Sequence, residues 1–314
     1  MTKIAPALSG LAAAAALGLN LAPAQAASKL WVSSAGLDST SCGAITSPCA
    51  TFQRAHNNAA AGGEIGVLNP GDYGMVSITK SISIINDGGG EAAIQASSST
   101  EAVTVDSGGI VVQLRGLTID GGGGSGGGIF FLMGSSLLVQ NCVIKNFGSG
   151  SLGGIVFAVQ SADTRNLVVT DTTIANVAST NGAVFVVSYN GGIENALLER
   201  VVLTGNYMGI NAVYGTTPVN LTVADSAVYG NTYGIYANGL SGPVVAVVER
   251  SRIANNNYGV LVVGPGATLA LNNSIVTGNA YGLRPTSGAV IGSYGNNVVY
   301  KNTTDVAPTP FTLQ

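Results

Sequence analysis

Short runs of aliphatic and β-branched residues alternate with turns rich in Gly, Asn and Ser through most of the chain, and the alternation returns with a fixed period. Asn206, Asn231, Asn256, Asn279 and Asn302 follow one another at offsets of 25, 25, 23 and 23 residues. Three residues after each of the first four comes a glycine (Gly209, Gly234, Gly259, Gly282), and then a branched aliphatic (Ile210, Ile235, Val260, Leu283). Strand-length apolar runs recurring every twenty-odd residues predict a parallel solenoid in which each repeat is one coil. Stacked strands lie about 4.8 Å apart, so residues one period apart become vertical neighbours.

Two apolar columns extend this register backwards and are predicted to face inward: Ile119, Ile144, Ile174, Leu203, Val228, Ile253, Val276, Val299, and Leu114, Val139, Val169, Leu198, Val223, Val248, Leu271. Between them runs Gly116, Asn141, Asp171, Arg200, Asp225, Arg250, Asn273, Asn296. The signs alternate from Asp171 to Arg250, which predicts an ion-pair ladder on the outside. Exposed pairs add little stability, and their value here is as a marker of register. Phe131, Phe157 and Phe185, followed by Ala212 and Ala237, form one predicted inward stack; Met208, Tyr233, Tyr258 and Tyr281 form a second. The asparagine column is predicted to carry amide hydrogen bonds from coil to coil. The outward positions of the strand after the glycine column are mostly apolar, among them Phe130, Leu132, Val156, Ala158, Val184 and Val186 before Arg284 and Thr286. An apolar sheet face of this extent points to burial under loops, self-association or attachment to another surface.

Pro48 to Ala61 is the one segment with helical spacing, placing Phe52, Ala55 and Ala59 on one face and Arg54, Asn57 and Asn58 on the other. An open first coil would expose strand edges and core, so this helix is predicted to cap it. The expected organisation is a signal peptide at 1–26, an N-terminal strand, disulfide loop and capping helix at 27–61, and the solenoid with a C-terminal tail at 62–314. The leader reading rests on Lys3, the apolar stretch Leu8 to Leu21 and the small-x-small site Ala24-Gln25-Ala26, with cleavage between Ala26 and Ala27. No stretch has the length and apolarity of an integral membrane span. Export makes a Cys42–Cys49 disulfide the default pairing, contributing about 2 to 3 kcal/mol for so short a loop. Cys142 falls in a column of small and apolar residues and is expected to be a buried, inert thiol.

Composition narrows the function. Charged residues make up 9% of the chain, against roughly 25% in an average globular protein, and the net charge is -3. With no basic face, nucleic acid is not an expected partner. His56 is the only histidine and sits on the cap, which excludes a Ser-His triad and histidine-rich metal centres from the solenoid. The glycine run 121–128, interrupted by Ser125, is followed by the strand residues Ile129-Phe130-Phe131 rather than by a lysine and a helix, so it is a turn and not a phosphate loop.

Trp31-Val32-Ser33, the Cys42 and Cys49 pair, Thr51-Phe52-Gln53, Pro70-Gly71-Asp72-Tyr73, Ile82-Ser83-Ile84 and Arg115-Gly116-Leu117-Thr118-Ile119-Asp120-Gly121 together resemble secreted bacterial right-handed parallel β-helix proteins of the pectate-lyase-like superfamily. The resemblance implies an all-β fold, a single right-handed parallel β-helix of roughly eight or nine coils from about Gly62 to Asp305. It implies no single activity, because that superfamily spans lyases, hydrolases, esterases, epimerases and non-catalytic surface proteins. Met75 stands where the pectin methylesterase motif has a glutamate, and the tripled aspartates of polygalacturonases and the clustered calcium-binding acids of pectate lyases are missing.

Acids on the coils are few. Asp171 and Asp225 face Arg200 and Arg250, while Glu199 and Glu249 share a column two coils apart with Ala224 between them. The candidate catalytic cluster is Arg115, Asp120 and Lys145, with Lys145 one coil above Asp120, since a base beside an acid is the minimum for abstracting a proton next to a sugar carboxylate. The loop holding Asp163 and Arg165 is a weaker candidate. The expected function is a secreted, periplasmic or cell-surface scaffold, associated with extracellular polysaccharide or a cell-surface component and able to self-associate through its apolar face. The alternative is a lyase on uronic-acid polymers, the only reading under which Ca2+ would serve as cofactor.

Overall fold

The computed structural model of the chain describes residues 29–160, 163–189 and 192–311; the predicted leader 1–26 and its Ala26/Ala27 cleavage point lie outside them. Among the described residues the strands form three parallel sheets of twelve, nine and ten strands, in which neighbours are always one coil apart in sequence. One coil illustrates the path: Tyr258–Val263 in the nine-stranded sheet, Ala267–Asn272 in the twelve-stranded sheet, Ile275–Thr277 in the ten-stranded sheet. The fold is an all-β parallel solenoid, and both apolar columns stack in the predicted order. Ile119, Ile144, Ile174, Leu203, Val228, Ile253 and Val276 are successive Cα partners and buried. Leu114 through Leu271 do the same on the twelve-stranded sheet.

The polar column between them makes a sharp corner. Asn141, Asp171, Arg200, Asp225, Arg250 and Asn273 all adopt φ between 45° and 52°, with Gly116 at 73°. One left-handed residue turns the chain from the twelve- to the ten-stranded sheet, a conformation that Asn and Asp tolerate best. The charged ladder is built of two pairs: Arg200 binds Asp171, at 2.7 Å, and Arg250 binds Asp225, at 2.9 Å.

At the next corner the asparagines form a buried ladder. The side-chain amide of Asn206 donates to Asn231 Oδ1, Asn231 to Asn256 and Asn256 to Asn279, each at 3.0 Å. Each accepting oxygen also takes the backbone N–H of the asparagine one coil below, at 2.9 Å. Glycine follows because there is no space for a side chain: a Cβ on Gly234 would lie 2.5 Å from the Gly259 carbonyl oxygen.

One coil departs from the predicted phase. Ala183, not Gly182, holds the glycine-column position, so Val184 pairs with Ile155 and Ile210 in the inner row. Val186 rather than Phe185 succeeds Phe157 in the core, and Val184 and Val186 are buried there instead of facing out. Phe185 and Val187 face outward. They join Phe130, Val156, Ala158 and Val213 in a small hydrophobic cluster outside the main core, in which Val156, Ala158 and Val187 are buried.

The cap is shorter than its sequence pattern suggests, an α-helix over Phe52–Asn58 with Phe52, Ala55 and His56 buried. Thr51 Oγ1 caps it by accepting from Arg54 N, and Asp38 holds the preceding backbone by accepting from Ala50 N and Thr51 N. The Cys42–Cys49 disulfide forms, and Cys142 is buried, its thiol pushed up to about 11 by burial. Lys29–Val32 pairs in parallel with Gly63–Val67, so the N-terminal segment is part of the first sheet. No helix among the described residues is long and apolar enough to cross a membrane.

Candidate functional site

Of the three predicted catalytic residues the structure brings two together. Lys145 is the Cα partner of Asp120 on the next coil, and its Nζ lies 3.5 Å from Asp120 Oδ2. The same carboxylate accepts from Gly122 N at 2.9 Å and from Asn146 Nδ2 at 3.2 Å, so its oxygens are engaged in holding the glycine-rich turn. Arg115 belongs to the twelve-stranded sheet, beyond the Gly116 corner, and forms its ion pair with Asp87. Arg165 is buried and bonded to Asp163 at 3.1 Å, with Glu194 on the next rung of the same inner column. Glu199 and Glu249 are drawn onto Arg200 and Arg250. Hydrogen bonds from those arginines hold the Asp171 and Asp225 carboxyls below the usual range.

A different arrangement lies at the start of the nine-stranded sheet. Tyr233, Tyr258 and Tyr281 stack ring on ring, with centroids 4.9 Å and 4.8 Å apart, as one-coil spacing predicts. They do not fill the core, as their place before the glycine column suggests. Period-two alternation stops at a corner, and there the rings turn outward, half-buried, with Tyr233 and Tyr258 lining a groove of about 360 Å³ and Tyr281 stacked on Tyr258 beside it. Met208, Tyr236, Leu261, Val263, Arg284 and Thr286 complete the lining. Arg284 lies alongside the last pair of the stack, its guanidinium carbon 4.5 Å from the centroid of Tyr281 and 5.4 Å from that of Tyr258. Tyr207 meets the other end edge-on, 5.6 Å from Tyr233. The tyrosine column is plain in the sequence; its outward direction is a property of the corner.

A pectate lyase, Pel9A, superposes with a TM-score of 0.59 at 14% identity, over 91% of this chain and 78% of that one. A rhamnogalacturonan lyase superposes at 0.54 with 13% identity, over 81% and 75%. The chain shares their right-handed parallel β-helix. At this identity the likeness is one of fold, and no family model and no curated protein matches.

Among the described residues, the one grouping of three ligand-type side chains is Asp38 with Cys42 and Cys49, where the sulfurs are bonded to each other and the carboxylate caps backbone N–H groups. Asp120 has an ammonium beside it, the opposite of what a divalent cation requires.

Proposed function

We propose that this β-helix is an exported scaffold that binds extracellular polysaccharide on its outer face without cleaving it. The observation that carries the reading is the fate of five acids at the exposed turns and corners of the coils. Asp120, Asp171, Glu199, Asp225 and Glu249 each sit in an ion pair with a Lys or Arg of the same or the next coil. Carboxylates neutralised in this way hold turns and ladders; a glycosidase needs a protonated acid and a free one at the same accessible site, and Glu194, which burial keeps protonated, is enclosed in the core. The shared fold with two polysaccharide lyases and the aromatic groove fit a carbohydrate ligand. The Cys42–Cys49 disulfide and the leader-like 1–26 segment fit an oxidising compartment outside the cytoplasm.

Co-sedimentation with cell-wall and capsular polysaccharides tests this. The protein should partition with at least one insoluble glycan and be released by the soluble form of the same polymer. Failure to partition with any would sink the reading. A second reading keeps the chain as a lyase, favoured by the Lys145–Asp120 contact. Under it, Lys145 takes the proton, Asp120 orients it, and Lys145→Ala abolishes turnover of uronic-acid polymers while leaving the fold intact.

A further inference from the structure

We infer that the groove lined by Tyr233, Tyr258 and Arg284 is the glycan site and that it takes an acidic sugar, whose carboxylate or sulfate is received by Arg284; this rests on the polysaccharide-binding reading above. Arg284 differs from the arginines of the corners. Arg200 and Arg250 each hold two carboxylates, Arg115 binds Asp87 and Arg165 binds Asp163. Among the described residues Arg284 makes no ion pair and no side-chain hydrogen bond; its guanidinium lies beside the stacked pair Tyr281 and Tyr258. Arg54 and Arg252 also lack a carboxylate partner there, but neither lies over a ring. With no carboxylate or hydrogen-bond partner among the described residues, the N–H donors of its planar guanidinium are free to meet two oxygens of one anion. The groove contains no acidic residue that would compete for it or repel such a ligand.

The aromatic part supplies the rest of a sugar-sized recess. Among the described residues the hydroxyls of Tyr258 and Tyr281 make no hydrogen bond, while Tyr236 Oη is already engaged as acceptor of Asn238 Nδ2 at 3.1 Å. Ring edges and the side chains of Leu261 and Met208 offer apolar contact to the C–H face of a pyranose, and the two unengaged hydroxyls offer donors and acceptors to its alcohols. The rings repeat at coil spacing, so an elongated ligand laid along the solenoid axis meets the same chemistry at successive rungs. Arg284 stands at one end of that row only. The geometry therefore calls for one anionic substituent at that end and tolerates neutral hydroxyls along the tyrosines.

The test is isothermal titration calorimetry on the full mature protein, Arg284→Gln, Tyr258→Leu and Arg252→Gln. Oligomers of polygalacturonate (carboxylate), heparin (sulfate and carboxylate) and a neutral β-glucan are the titrants. Wild type should bind at least one acidic series and not the glucan. Arg284→Gln should lose about tenfold or more in affinity for it, the scale of a lost charge-assisted hydrogen bond. Tyr258→Leu should weaken it as well, and Arg252→Gln should match wild type. Thermal melts of all four proteins should coincide within a few degrees, since the substituted positions lie on the surface. Preference for polygalacturonate or for heparin identifies the anion, and either supports the site. Undiminished acidic-glycan binding by Arg284→Gln would overturn the site and leave the scaffold reading standing. Binding of the neutral glucan alone would overturn the acidic assignment, and no binding of any glycan by wild type would overturn both.

Discussion

Glu194 stands in an inner column of the twelve-stranded sheet, with Arg165 on the rung below and Val219 on the rung above. It is fully buried, and neither carboxylate oxygen has a hydrogen-bond partner among the described residues. Burial pushes its carboxyl up to about 8, against the pull of Arg165. An acid whose native pKa exceeds its unfolded value contributes stability that is complete below about pH 4.5 and is lost as pH rises through about 8. Glu194→Gln should therefore flatten the decline in melting temperature across that window, a result that pH-dependent thermal melts can read. His56 works in the opposite sense. Burial lowers its pKa, and Nε2 accepts from Thr79 N at 3.2 Å, which requires the neutral ring. Acidification below the usual imidazole range should loosen the cap first, visible as earlier hydrogen exchange in Phe52–Asn58 than in the coils. The place of His56 on the cap is legible in the sequence. Glu194 is not, because a single polar residue in an otherwise apolar column gives no sign of which way it points.

Among the elements, the asparagine ladder and its glycine column are the most constrained. Asn256→Ala removes both amide bonds to the neighbouring coils and strands the buried N–H of Asn231. An unpaired buried donor costs about 1–3 kcal/mol, which lowers the melting temperature by about 2–4 °C per kcal/mol in a protein of this size. Gly234→Ala should be at least as damaging, because the added Cβ meets backbone and not a side chain that can move aside. In contrast, Asp225→Asn at the exposed corner should leave the melting temperature almost unchanged, since its pair with Arg250 is solvent-screened. Both ladders are legible because stacking turns a sequence period into a contact. The single slipped coil was not: Gly182 mimics the glycine column while Ala183 occupies it, and one residue of slip exchanges Phe185 for Val186 in the core. The outward turn of Tyr233, Tyr258 and Tyr281 escapes the pattern for a related reason, since alternation holds along strands and lapses at corners.

At the scale of the whole molecule, a solenoid presents long faces whose chemistry repeats coil by coil, and here the faces differ. One corner carries self-neutralised charge pairs, one sheet face carries an external aliphatic cluster, and one groove carries stacked tyrosines ending in an unpaired arginine. The overall architecture is readable from periodicity alone, whereas the site depends on which side chains find partners across coils, as Arg115 does with Asp87 and not with Asp120. On the proposed reading the protein holds a glycan and does not break it. The direct test is to incubate the mature protein at high concentration with pectate, alginate and glycosaminoglycans, with and without calcium, and to follow the absorbance of unsaturated sugar products. A flat trace with every polymer, in samples where binding is demonstrated, is the predicted result; sustained growth of unsaturated product that disappears in Lys145→Ala would contradict it.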